Sequence, residues 1–426
     1  MATLRVRLTR LAVAAGEALR PVLLRVLPKK TLKAVKARLV LRNSGAQHAR
    51  RPYRAGEHPA GVNLIGYLRA EMGLGQGCRL MAAALEASGL PWCALEVRPP
   101  GSAACSERGF EARVAKTARY AVNLIHINAE QLPMLQLALP LETWDGRFNI
   151  GIWLWELEDF PDEWTPQFAA VDAIWTPSRF NTEAIARKSP VPVFTVPYGI
   201  EAPVDPSLSR AAFGLPEDRF LFLSMYDVNS TAQRKNPLGA IRAFQRAFPP
   251  EQREAALAVK VNNPNEAELA ALKAAIGVYS DSVFIIGGGR PMTKLAVNSL
   301  IACCDVFVSL HRSEGFGLVI AEAMLLGKPC IATNWSANTD FMDETNACPV
   351  AFTLVPIGED CGPYKAYQRW AEPDLDDAAS YMRRLCGDPG YYAALSEAAR
   401  RRIAEDFSVG RSAQALRERL AELGVV

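Results

Sequence analysis

Residues Ser313 to Pro329, S-E-G-F-G-L-V-I-A-E-A-M-L-L-G-K-P, leave few folds open to this chain. Gly315 and Gly317 allow a tight turn, Leu318 to Leu326 are helix formers, Gly327 suits the position just past a helix end, and Pro329 forbids continuation. The run before it, Cys304-Asp-Val-Phe-Val-Ser-Leu310, and the run after it, Pro329-Cys-Ile-Ala-Thr333, have the apolar character of buried strands. Strand, glycine turn, helix and strand make a parallel pair with a crossover helix. Ligands of such units bind beyond the carboxyl ends of the strands, where this turn lies. Glu314 and Glu322 stand eight residues apart in this apolar stretch, and their charges need a partner there.

The same alternation recurs on both sides. Between Gly61 and Val196, strands are expected at 62–68, 92–97, 120–127, 148–154, 173–176 and 193–196, with a glycine turn at Gly73-Leu-Gly-Gln-Gly77 leading into a helix. The pattern resets near Glu201-Ala-Pro-Val-Asp-Pro206. A second series follows at 220–225, 256–261, 283–286, 304–310 and 330–333. Asp172-Ala-Ile-Trp-Thr-Pro-Ser-Arg179 and Asp305-Val-Phe-Val-Ser-Leu-His-Arg312 repeat an aspartate, a strand and an arginine at matching offset. The fold class is α/β, with two Rossmann-like domains facing a cleft, the default ligand site, and an amphipathic helical tail from Asp374. The expected divisions are 1–56, a basic arm; 57–200, the first domain; 201–400, the second domain; and 401–426, a C-terminal helix.

The chain has 426 residues, half of them hydrophobic, and a formal charge of only +3. That charge is unevenly spread. Residues 1–54 hold fourteen of the 48 Lys and Arg and one of the 45 acids, Glu17, so the arm carries +13 and the rest −10. In Thr31-Leu-Lys-Ala-Val-Lys-Ala-Arg-Leu-Val-Leu41 bases alternate with Leu and Val. Such a helix can lie on an anionic membrane surface, or the arm can dock on its own body or stay disordered. The first residues resemble a signal peptide, but Glu17 and Arg20 interrupt the apolar part and no clean cleavage site follows. A cytoplasmic protein, peripheral on a membrane through the arm, is the expectation, with no nucleic-acid partner. The nine cysteines form no C-x-x-C pair and read as small buried hydrophobes. With four histidines, a zinc site is not expected.

Two nucleotide fingerprints fail. Gly73 and Gly75 match the start of G-x-G-x-x-G, and Glu96 ends the next strand about 20 residues on, but Cys78 takes the third glycine position. No G-x-x-x-x-G-K-[ST] loop exists. Gly73 and Gly75 retain a simpler use, since bare backbone N–H groups at a helix start can approach a phosphate. In Ser230-Thr-Ala-Gln-Arg-Lys-Asn-Pro237, Arg234 and Lys235 are surface charges or a diphosphate clamp, the first as a planar fork and the second as a point charge. Lys260, inside an apolar strand, is a further candidate cation, because a buried lysine is costly without an anion.

H-R-S-E-G-F-G-L-V-I-A-E-A-M-L-L-G-K-P-C-I-A-T resembles the Glu-x7-Glu signature of retaining glycosyltransferases of the GT-B fold, specifically glycosyltransferase family 4. L-R-A-E-M-G-L-G-Q-G-C-R-L, R-K-N-P, V-P-Y-G-I and R-W-A-E-P-D-L-D-D-A-A are similar to further family segments, so the resemblance covers roughly residues 60 to 410. It implies that Glu322 accepts hydrogen bonds from a nucleotide ribose and that Glu314 faces the transferred sugar. Gly315, Phe316, Gly317 and Leu318 then offer backbone N–H groups to sugar and phosphate, and Arg234 and Lys235 supply the charge that a metal supplies elsewhere. Eight residues of helix span about 12 Å, which suits the two ends of one sugar nucleotide. Many members carry Gly-Arg where this chain reads Ser224-Met225, which leaves open whether Arg234, Lys260 or another base completes the clamp. His126, ending a strand of the first domain, is a candidate to orient a sugar hydroxyl or the acceptor, or a structural histidine. The aromatics of Trp153-Leu-Trp-Glu-Leu-Glu158 stack on an acceptor glycan or pack in the core.

The implied activity is transfer of a hexose, mannose as first expectation, from a GDP- or UDP-linked donor to a glycan. That glycan is lipid-linked if the arm touches membrane, as in surface polysaccharide or lipopolysaccharide assembly. No metal and no resident cofactor are expected. The rival readings are a GT-B epimerase or phosphorylase and a non-catalytic glycan-binding protein.

Overall fold

The computed structural model of the chain describes residues 50–99, 105–287 and 292–425. The helical reading of the arm therefore lies outside the described residues. The first sheet is built from β1 (Val62–Gly66), β2 (Trp92–Glu96), β3 (Val122–His126), β4 (Phe148–Ile152), β5 (Ala173–Thr176) and β6 (Val193–Thr195). All pairs are parallel, in the order β2-β1-β3-β4-β5-β6. The second holds β7 (Phe220–Asp227), β8 (Ala255–Asn262), β9 (Val283–Ile286), β10 (Val306–Ser309), β11 (Cys330–Thr333) and β12 (Cys348–Val350), again parallel, in the order β12-β11-β10-β7-β8-β9. The strands are apolar runs because helices cover both faces of each sheet, two core clusters to a domain.

Strand order reverses between β1 and β3 in the first sheet and between β7 and β10 in the second, which creates a crevice at the carboxyl ends of each. The glycine loop and His126 follow β1 and end β3; Arg234, Lys235 and Glu314 follow β7 and β10.

Three strands were not expected from the sequence. β12 is three residues long with a proline in it, too short to show a period. β13 (Phe352–Pro356) and β14 (Arg369–Pro373) form an antiparallel ribbon whose halves lie far apart in the chain. β7 also runs two residues past the expected end, through Tyr226 and Asp227.

The helices Leu375–Gly387 and Pro389–Asp406 pack on the second domain, but Val409–Glu422 crosses back to the first. Its Leu416 and Leu420 join the core around Met81 and Leu85. The two crossings run side by side: Ile200 N donates to Phe407 O at 2.7 Å, and a Cβ on Gly199 would stand 2.5 Å from the Val409 Cα. No helix of the described residues is long and apolar enough to cross a membrane.

Candidate active site

After β7 the chain makes a short turn and the single helical turn Ala232–Lys235. Asn236, at φ 52°, then caps the helix Pro237–Ala247 by accepting from Gly239 N. This tight reversal points Arg234 and Lys235 at the loop after β10. Asn236 Nδ2 donates to Leu310 O at 2.9 Å, Arg312 N to Arg234 O at 2.7 Å, and Arg234 Nη1 to Ser313 O at 2.6 Å. From the far side Thr333 Oγ1 donates to His311 O at 2.6 Å and Ser336 Oγ accepts from Glu314 N at 2.8 Å. The loop is pinned along its length.

Glu314 is 8% exposed. Lys235 Nζ contacts its Oε1, and Arg234 Nη1 stands 3.4 Å from Oε2. Burial pushes the Glu314 carboxyl up, but the two cations outweigh it and draw it down to about 2. Arg234 has two further neighbours. The Glu156 carboxylate of the first domain is 3.8 Å from Nη2, and the Tyr364 ring lies 5.9 Å below the guanidinium.

Gly317, at φ 90°, opens the helix Leu318–Leu325, which has no side-chain cap, so the N–H groups at its start are available to an acceptor atom. Glu322, one turn in, is 1% exposed. Lys294 Nζ lies 2.5 Å from its Oε2, and among the described residues Oε1 has no hydrogen-bond partner. Burial raises the Glu322 carboxyl and Lys294 partly offsets this. Lys260 is 3% exposed, donates to Asn262 Oδ1, and stands in register beside Met225. Burial pushes its ammonium down to about 8, with Asp227 opposing the shift and Lys294 adding to it. The cations therefore form two groups, Arg234 with Lys235 at Glu314 and Lys260 with Lys294 towards Glu322.

In the first domain the helix Gly73–Ser88 begins at the glycine turn. A Cβ on Gly75 would meet Ala70 O at 2.1 Å, one on Gly77 would meet Tyr198 Oη at 2.8 Å and His126 Nε2 at 3.0 Å, and one on Gly73 would meet nothing within 4 Å. Cys78 fits where a third glycine was absent because the room comes from the strand. The Cys78 Sγ lies 2.8 Å from where Gly66 would carry a Cβ. His126 is fully buried beneath this turn, its Nε2 2.8 Å from Tyr198 Oη, and burial pushes its imidazole down to about 4. The Tyr198 ring in turn packs edge-on against Phe316, centroids 5.3 Å apart. His126 thus reaches the Glu314 turn through Tyr198 and Phe316 and does not line open space.

The two domains meet at that turn. Ser178 Oγ and Asn181 Nδ2 donate to Gly315 O, the first at 3.0 Å, and Ser313 Oγ donates to Glu156 O. Two hollows of about 380 and 240 Å³, one lined by Lys273 and Phe284 and the other by Tyr198 and Arg411, lie elsewhere. Trp153 and Trp155 are fully buried in an aromatic cluster with Phe160, so core packing accounts for them. Among the described residues no cluster of His, Cys, Asp and Glu is arranged to hold a metal.

Residues 219–360 match the family model of glycosyl transferases group 1. The architecture is GT-B. The chain is similar to the GT-B sucrose-phosphate synthase of Thermosynechococcus elongatus (16% identity, TM-score 0.63, covering 86% of this chain and 99% of that one). It is also similar to Anabaena HepE, solved in complex with UDP and glucose (15%, 0.59, 85% and 99%), and to a glycosyltransferase from Rickettsia africae (13%, 0.61, 86% and 98%). No curated protein sequence matches the chain. The group 1 stretch contains Arg234, Lys235, Lys260, Glu314 and Glu322.

Sequence reasoning missed Lys294, Glu156 and Tyr364. Lys294 had a signal: a lysine in the first turn of a helix opposes the helix dipole and needs a nearby anion. Glu156 follows Trp155 in a run whose apolar residues read as core, and Tyr364 lies in the loop that joins the two strands of the unforeseen ribbon.

Proposed function

We propose that the chain is a retaining GT-B glycosyltransferase of family 4 type, which moves a hexose from a nucleoside-diphosphate sugar to a glycan acceptor. The observation that carries this reading is the convergence of Arg234, Lys235 and Glu314 at the strand-order reversal of the second sheet, inside the group 1 stretch.

In this reading the domains part, the donor enters, and its diphosphate takes over the cations that Glu314 holds in its absence. Lys260 stands beside Met225, at the position where many relatives carry arginine, and completes the clamp with Lys294. Glu322 offers its unpartnered oxygen to the ribose hydroxyls. Glu314 faces the transferred sugar, and the uncapped start of Leu318–Leu325, with Gly315, Phe316, Gly317 and Leu318, receives phosphate and sugar oxygens. Gly73 and Gly75 bring the opposing helix start to the donor. The acceptor hydroxyl attacks the anomeric carbon on the face from which the diphosphate leaves. As the new C–O bond forms and the old one breaks, charge grows on the leaving phosphate, where the fixed cations stabilise it. The reading uses no metal or resident cofactor. His126 stays neutral at physiological pH and acts as a hydrogen-bonding group, not as an acid.

Mannose from GDP-mannose is the first donor proposed, and the UDP bound to the Anabaena neighbour supports UDP-linked sugars beside it. The +13 charge of residues 1–54 supports contact with an anionic membrane surface on the cytoplasmic face and a lipid-linked acceptor, as surface polysaccharide or lipopolysaccharide assembly requires. Incubation with radiolabelled GDP- and UDP-hexoses tests the activity. Label in a glycan supports transfer, and free sugar or sugar phosphate with no glycan product points to an epimerase or phosphorylase instead.

A further inference from the structure

We propose that Glu156 receives the acceptor's attacking hydroxyl, that Tyr364 orients it for that task, and that the sugar residue so received carries no negative charge. The inference rests on the transferase reading and adds the acceptor side to it.

Residues 153–158 follow β4, and burial alternates along them up to the bend that begins at Leu157. Trp153, Trp155 and Leu157 are buried, and Leu154, Glu156 and Glu158 between them are half-buried, as expected where alternate side chains face opposite ways. The second set faces the second domain. Leu154 stands 3.6 Å from where Gly315 would carry a Cβ, and Glu158 is 3.3 Å from Arg369. Glu156, between them, projects at the Arg234–Glu314 group.

Arg234 stands between two carboxylates, one from each domain: Glu314 at 3.4 Å and Glu156 at 3.8 Å. Its close bonds go to carbonyl oxygens, Ser313 O at 2.6 Å and Ser230 O at 3.2 Å. A 3.8 Å contact is longer than a charge-assisted hydrogen bond, so the Glu156 oxygen retains capacity to accept one. Its other oxygen, Oε2, accepts from Tyr364 Oη at 3.1 Å, and the Glu156 carbonyl accepts from Ser313 Oγ. Tyr364 comes from the loop that joins β13 to β14 in the second domain and packs against Trp155, ring centroids 5.4 Å apart. Glu156 is thus a first-domain carboxylate held in orientation by the second domain, across one cation from the residue that faces the donor sugar.

A carboxylate so held accepts a hydrogen bond from a hydroxyl and repels another anion. The site of Glu156 therefore suits a neutral sugar; a uronic acid or a phosphorylated sugar meets like charge there. In the transfer step Glu156 holds the acceptor hydroxyl near the anomeric carbon; as the new C–O bond forms and the bond to the phosphate breaks, the hydroxyl proton passes to the Glu156 oxygen and from there to the departing phosphate oxygen, which restores the carboxylate.

The test uses the full chain, the GDP- or UDP-hexose it turns over, and octyl glycosides of glucose, mannose and glucuronic acid as acceptors. Glu156→Gln keeps the Tyr364 bond and removes the charge. It is expected to raise the acceptor KM or lower kcat for transfer by about tenfold or more, and so to lower the ratio of transfer to donor hydrolysis by a similar factor. Tyr364→Phe keeps the ring beneath Arg234 and is expected to raise the acceptor KM by about three- to tenfold with donor KM unchanged. The unaltered chain is expected to prefer neutral acceptors. Normal transfer by Glu156→Gln, donor hydrolysis falling in step with transfer, or a preference for the glucuronide overturns the inference and leaves the transferase reading standing. If the unaltered chain neither transfers nor hydrolyses any donor, the transferase reading falls and this inference with it.

Discussion

Lys294 Nζ lies 2.5 Å from Glu322 Oε2, where the glutamate is 1% exposed. The lysine is the first residue of its helix, an unfavourable end for a cation, and the glutamate is inside an apolar helix. Each explains the other. Removing one partner of a buried pair typically costs about 3–5 kcal/mol, because the remaining charge is left unpaired.

Lys294→Ala should therefore destabilise the fold at pH 7 and do so less at pH 5. Burial already raises the Glu322 carboxyl, and loss of Lys294 raises it further. A carboxyl raised in the folded state loses stability as pH climbs above its unfolded value of about 4.3. Thermal unfolding at the two pH values checks this; equal deficits would contradict it. Glu322→Gln leaves the Lys294 ammonium, 21% exposed, without its carboxylate; it should destabilise less than Lys294→Ala and weaken nucleoside-diphosphate affinity by about tenfold.

Lys260 predicts a pH limb in donor binding. Its ammonium is pushed down to about 8 by burial, with Asp227 and Lys294 as the charged neighbours. A diphosphate binds the protonated form. Affinity should be level below about pH 8 and fall above it by at most about tenfold per unit. Lys260→Met should bind more weakly and flatten that limb, as calorimetric titration of UDP and GDP from pH 6.5 to 9.5 would register.

The glycine loop separates packing from binding. Gly75→Ala drives a methyl to 2.1 Å from Ala70 O, whereas Gly73→Ala meets nothing within 4 Å. The first should destabilise by about 1–3 kcal/mol and lower the melting temperature. The second should be neutral to about 1 kcal/mol stabilising, and any loss of donor affinity it shows reports the helix start itself.

Much of this was legible in the sequence because buried parallel strands are continuous apolar runs, and eleven of the twelve sheet strands show as such. The repeated aspartate also had physical content. Asp172 accepts from Asn149 N at 2.8 Å and pairs with Arg50, while Asp305 accepts from Leu221 N at 2.7 Å and pairs with Arg210. Each aspartate ties its strand to the start of the neighbouring one. The rest depends on contacts between distant segments. Glu156 meets Arg234 across the boundary between the domains, Gly66 makes room for Cys78 across a strand and a helix, and the ribbon pairs residues on either side of a long loop. Local composition carries none of these.

Glu314, held near 2 by Lys235 and Arg234, is ionised throughout the working range. The account therefore turns on what those cations bind when the domains open. Proton NMR of the reaction of the full chain with GDP-mannose, UDP-glucose and a neutral octyl glycoside reads this most directly, through the anomeric signal of the first product. The account predicts turnover of one of these donors with the anomeric configuration of the donor kept, and no turnover by Lys235→Ala. An inverted product, or undiminished transfer by Lys235→Ala, would contradict it.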